Sequence, residues 1–171
     1  MSGKIHLVLS IAVFLFCLIW SPKLALGQDA TILNEEQLKV VLPSGFYFEG
    51  RSGPTQTRNS AAVRFGEKRF VIVALIDTAG YSSDVREKYE GFLITDSVIT
   101  LGGKTLSTGA YGFGVTKEGK MNVFDLGGKP LLSLPAPKDT ELKAPRPLTI
   151  VNGADGLRIY RGRNYISLSA K

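Results

Sequence analysis

One cysteine, one histidine and one tryptophan are all that this 171-residue chain contains, and Cys17, His6 and Trp20 all stand within its first twenty positions. From residue 21 onward there is no thiol, no imidazole and no indole. If the N-terminal stretch is removed, no Ser-His-Asp or Cys-His nucleophile system can be built. Zinc and copper lose their usual ligands, and neither a disulfide nor thiol redox chemistry is open to the chain. A general base working near neutral pH would have to be a carboxylate raised, or a lysine lowered, by burial. Phosphate-binding signatures are missing too. Gly112-Phe113-Gly114 has no third glycine at the required place, and Gly102-Gly103-Lys104-Thr105 lacks the spacing of a phosphate loop. There is no D-x-D-x-D-G array for a hard cation. No cofactor and no metal are expected.

What is there begins with residues 1–27, MSGKIHLVLSIAVFLFCLIWSPKLALG. Lys4 supplies a positive start, residues 7–20 form an apolar run interrupted only by Ser10, Pro22 breaks it, and Ala25-Leu26-Gly27 offers small residues for cleavage. This is the three-part pattern of a secretory signal, with the cut expected after Gly27. The apolar run has 14 residues, short of the roughly 20 that a membrane-spanning helix needs, so a retained anchor is the weaker reading. Acylation at Cys17 is disfavoured because Phe16 precedes it. The expected product is a secreted or periplasmic chain of residues 28–171 with no stable membrane anchor.

Cleavage takes away Lys4 and Lys23 and no acid, leaving 19 basic and 15 acidic side chains, a net charge of +4 on 144 residues. That suits solubility and attraction to anionic surfaces, but not a dedicated nucleic-acid binder. A single domain of this size buries enough surface to be stable without covalent staples.

Short β-rich runs separated by glycine turns follow from residue 46 onward. Residues 70–76 (FVIVALI) are consecutively apolar, as in a strand buried on both faces. Residues 111–116 and 121–125 flank Lys117-Glu118-Gly119, a three-residue hairpin loop with glycine in the left-handed position. Gly102-Gly103, Gly127-Gly128, Asn152-Gly153 and Asp155-Gly156 supply further turns. Turn signals at this spacing indicate an all-β single-domain antiparallel sandwich or flattened barrel. Asn34-Glu35-Glu36-Gln37 reads as a capping box opening a short N-terminal helix that ends before Pro43. Residues 83–90 form a second, shorter helical candidate. Residues 51–60 (RSGPTQTRNS) are expected to be a loop, and residues 135–147, with four prolines, an exposed crossover or a joint between sheets.

The most distinctive charged cluster is RIYRGRNY at residues 158–165. Arg158, Tyr160, Arg161 and Arg163 are the candidate ligand-binding residues, since forked guanidinium groups beside aromatic rings suit an anionic glycan or an acidic protein partner. A solvated hairpin edge is the plainer account of the same residues. On a strand, Leu157, Ile159 and Arg161 share one face and Arg158 and Tyr160 the other. Asp77 and Asp125, each just past an apolar run, are the acids that a carboxylate-based hydrolase would use.

Residues 98–114 (VITLGGKTLSTGAYGFG) resemble a hairpin of secreted bacterial all-β domains of unknown function, which carries a G-x-x-L-x-x-G-x-Y arrangement. Gly103, Leu106, Gly109 and Tyr111 occupy those places. The resemblance covers about 17 residues and implies a bacterial envelope or secreted protein with an all-β fold. It implies no activity and no site residues.

The expected function is a non-enzymatic accessory or binding domain in the envelope or outside the cell. A small barrel carrying an apolar ligand, with residues 70–76 lining its cavity, and a carboxylate-based hydrolase are the alternatives.

Overall fold

The computed structural model describes residues 29–153 and 156–171. The proposed signal, residues 1–27, and Asp155 of the Asp155-Gly156 turn lie outside the described residues. The described residues form thirteen strands and two short helices, arranged as a sandwich of two antiparallel sheets.

The first sheet runs in the order β1 (Ala30–Ile32), β3 (Arg51–Phe65), β4 (Arg69–Ile76), β5 (Gly91–Thr95), β8 (Gly109–Val115), β9 (Lys120–Phe124), β10 (Pro130–Pro135). β2 (Gly45–Phe48) pairs with the opening residues of β3. The second sheet runs β11 (Arg146–Gly153), β12 (Gly156–Gly162), β13 (Asn164–Ala170), β6 (Ile99–Leu101), β7 (Lys104–Leu106). The chain therefore visits the second sheet twice. Asp96-Ser97-Val98 carries it from β5 to the β6–β7 hairpin, and Ser107-Thr108 brings it back to β8. Residues 136–145, within the proline-rich stretch, then join β10 to β11, so this stretch is the joint between sheets. The stretch that resembles a hairpin is thus the β6–β7 hairpin followed by a crossover, which the Tyr111 hydroxyl braces by donating to the Ser107 carbonyl at 2.9 Å.

β4 shows why residues 70–76 carry no polar alternation. Val71, Val73 and Leu75 face the second sheet and join Leu93, Phe113, Leu148, Ile159 and Leu168 in the main core. Ile72, Ala74 and Ile76 face the other way, into a second apolar layer with Phe46, Phe48, Tyr89 and Phe92. The outer layer is capped by β2 and by α1 (Glu35–Val41) and α2 (Ser83–Lys88). Phe46 stacks on Phe92 with ring centroids 4.9 Å apart, and Phe48 on Tyr89 at 4.6 Å. Gly112 makes this possible, because a Cβ there would lie 2.3 Å from the Tyr89 ring.

α1 opens on the expected capping box. Asn34 Oδ1 accepts from the Gln37 amide at 2.9 Å, and Gln37 Oε1 accepts from the Asn34 amide at 3.1 Å. The hairpin between β8 and β9 turns at Lys117-Glu118-Gly119 with Gly119 at φ 78°. Residues 51–60, expected to be a loop, are instead part of β3. Arg51–Pro54 pair with Gly45–Phe48, so the buried phenylalanines of β2 supply the apolar surface that the polar segment lacks. Pro54 has no N–H to give the ladder, but its carbonyl accepts from the Asp77 amide at 2.8 Å. Between Thr55 and Ser60 the register shifts. There Gln56 Nε2 donates to the Ile76 carbonyl at 3.1 Å and Asn59 Nδ2 to Gln56 Oε1 at 2.7 Å, so side chains replace the missing ladder bonds.

Candidate functional site

β12 has a hydrogen-bonded neighbour on each side, β11 and β13, and its faces divide as the alternation requires. Leu157 and Ile159 are buried between the sheets. Arg161, on the same side, reaches the first sheet: its Nε donates to Glu90 Oε2 at 3.2 Å and Nη1 to the Pro147 carbonyl at 3.3 Å. Glu90 Oε2 also accepts from the Val115 amide at 3.2 Å. This pair is a pin between sheets. On the outer face, the Tyr160 hydroxyl donates to Asp139 Oδ2 at 2.7 Å, and the Arg158 guanidinium lies 4.4 Å from the Tyr165 ring centroid. Arg163, in the β12–β13 turn, donates from Nη1 to the Leu142 carbonyl at 2.6 Å. The Tyr160 hydroxyl, together with the amides of Glu141 and Leu142, holds the Asp139 carboxyl below its ordinary range against the opposing effect of burial. All four sequence-nominated residues thus stand together around one sheet, and each is already engaged within the chain.

Asp77 and Asp125 are not brought together. Asp77 Oδ1 accepts from the Ala79 amide at 2.9 Å, and Asp125 Oδ1 from the amides of Gly127 and Lys129, both at 2.9 Å. Each shapes its own turn. β5 and β8 stand between β4 and β9, which puts the two strands about 14 Å apart across the sheet. The registers through β5 and β8 set Phe124 level with Ala74, so Asp125 stands beside the middle of β4 and Asp77 beyond its end.

The space between the sheets bounded by Phe113, Leu148, Ile159 and Ile166 holds a cavity of only about 10 Å³. Residues 70–76 fill the two apolar layers rather than line a hollow.

A cluster that the sequence did not advertise gathers at the tip of the β2–β3 hairpin. Glu49 and Gly50 both take left-handed backbone, with φ 44° and 73°, as a two-residue hairpin turn requires. The Glu49 carboxylate pairs with Lys88 Nζ and accepts from the Tyr89 hydroxyl at 3.1 Å. Lys88 Nζ lies 5.4 Å from the Tyr89 ring centroid and 5.3 Å from that of Phe124. The Lys88 hydrogen bond is the main cause that draws the Glu49 carboxyl down, while burial, more than Glu49 itself, drives the Tyr89 phenol up. The Glu49 amide donates to the Leu126 carbonyl at 2.8 Å. The cluster therefore latches the hairpin across the outer face, onto the β9–β10 turn.

Two of the larger surface depressions among the described residues bear charged side chains. One, of about 610 Å³, lies between α2 and the β8–β9 turn and mixes signs, with Arg86 and Lys117 against Glu87, Glu90 and Glu118. The other, of about 830 Å³, is bounded by α1, the irregular part of β3 and β11. Its floor includes Leu38, Ala61 and Ile150, and its walls carry Lys39, Arg58 and Arg146 against a single acid, Glu35. Lys39 stands in the last turn of α1, Arg58 in the bulged segment of β3, and Arg146 at the start of β11. None of the three has a hydrogen-bond or ion-pair partner among the described residues. Sequence reasoning passed over them because they lie far apart along the chain in segments of different kinds. Arg58 was hidden in a presumed loop, and Arg146 between prolines.

Among the described residues no group of three or more His, Cys, Asp or Glu side chains is placed to hold a metal ion, and no helix is long and apolar enough to cross a membrane. Comparison with family models, with curated proteins and with solved structures gives no match to this chain.

Proposed function

We propose that this chain is an exported, non-enzymatic accessory domain that binds an anionic ligand in the groove between α1, β3 and β11. One observation carries the reading. The depression of about 830 Å³ is walled by three cations with no partner among the described residues, whereas the arginines of β12 are already engaged. Unsatisfied guanidinium groups beside an aliphatic floor are what a carboxylate- or phosphate-bearing ligand needs. A groove of about 830 Å³ is within the size range of ligand sites. Export rests on residues 1–27, and the absence of histidine and cysteine beyond them removes the usual nucleophile and base chemistry.

The test is a triple substitution, Lys39→Ala with Arg58→Ala and Arg146→Ala, read on an anionic resin and by titration with a soluble polyanion. Salt-sensitive retention and polyanion binding are expected to fall sharply. If both persist unchanged, the groove is not the anion site. N-terminal sequencing of the natural protein is expected to begin at Gln28; a start at Met1 in the exported form would remove the signal from the proposal.

A further inference from the structure

Resting on the anion-binding reading, we infer that the occupant of the groove is an extended acidic peptide segment of a partner protein, with aliphatic side chains between its carboxylates. The three cations come from three separate elements, a helix, a bulged strand and an edge strand. A single loop or helix end is often enough for a compact anion. Cations contributed by three separate elements suit a ligand that carries more than one charge.

The rest of the lining narrows the choice. The floor is aliphatic, with Ile32, Leu38, Ala61 and Ile150 contributing, and none of the lining residues is aromatic. A glycan therefore meets no ring to stack on, whereas Leu- or Val-sized side chains meet surfaces of their own kind. A fatty acyl chain needs an enclosed apolar cavity, but this groove is open and includes the hydroxyls of Thr57 and Thr149. Thr149 and Ile150 of β11 line the wall that stands beside β3, so the groove runs along two extended segments, a shape that suits an extended chain. Glu35 is the one acid in the lining. It repels a carboxylate at the α1 end and directs the acids of the peptide towards Arg58 and Arg146, which supplies orientation.

The experiment uses the exported protein and a fluorescein-labelled twelve-residue peptide of repeating Asp-Leu-Glu-Thr, followed by fluorescence anisotropy. The same peptide with Asn and Gln for its acids is the control, and polygalacturonate is the competing polyanion. Saturable binding of the acidic peptide is expected, with no binding of the amide peptide. Arg58→Ala and Arg146→Ala should each weaken binding about tenfold, with thermal melting unchanged. Lys104→Ala, an exposed lysine of the far edge strand β7, should leave affinity unchanged. Equal binding of both peptides would overturn the role of charge. Binding of polygalacturonate that needs Arg58 and Arg146, without binding of the peptide, would overturn the peptide assignment and leave the anion site standing. If neither probe binds, both readings fall.

Discussion

Two basic regions of this molecule look alike by composition and differ in their circumstances. The β12 strip concentrates Arg158, Arg161 and Arg163 within six positions, and each is engaged: with a tyrosine ring, with Glu90, and with a loop carbonyl. The groove draws Lys39, Arg58 and Arg146 from a span of more than a hundred residues, and none has a partner among the described residues. Local density of charge is therefore a poor guide to availability. The arginines of β12 meet an acceptor or a ring as the sheet withdraws them from water, because a buried donor left unmade is costly. A cation on a groove wall keeps water as its partner until something displaces it.

The difference can be broken at several points. Glu90→Ala should have the largest effect, since it strips Arg161 and the Val115 amide of their acceptor at once. We expect a loss of about 1–3 kcal/mol, seen as a lower urea midpoint with unchanged slope. A midpoint within error of wild type would show that the sheets need no pin there. Arg158→Ala should cost about 0.5–1 kcal/mol for the lost ring stacking, measured the same way. Tyr160→Phe sharpens the comparison through pH. The depressed carboxyl of Asp139 contributes stability that is present above its unfolded value and lost as pH falls through the lower folded value. Removing the hydroxyl should flatten the acid limb of the stability profile below about pH 4; an unaltered acid limb would discount this bond. On stability, the groove triple substitution should do least, within about 0.5 kcal/mol, although it is the variant expected to lose anion binding. A marked drop in its melting temperature would mean that these cations serve the fold after all.

Much of the frame is legible in the sequence. The capping box at Asn34, the left-handed glycine at 119 and the two-faced burial of β4 are local consequences of residue type, and each occurs where the pattern puts it. The division of β12 into a core face and an outer face follows from a period of two. The error at residues 51–60 is instructive. A polar segment containing Gly53 and Pro54 has no strand signal of its own, and it becomes one because Phe46 and Phe48 on the neighbouring strand bury the pair. The candidate groove was not legible at all. α1, the β3 bulge and β11 are neighbours only because the sandwich closes on that side.

The sequence by itself determined the inventory: which side chains are available beyond residue 27, where the chain can turn, and which runs must be buried. These are properties of single residues and near neighbours, set by backbone sterics and hydrophobicity. Only the tertiary structure decided which charges are answered. Glu90 and Arg161 are 71 positions apart, and whether such groups meet depends on sheet order and register, which no local preference specifies.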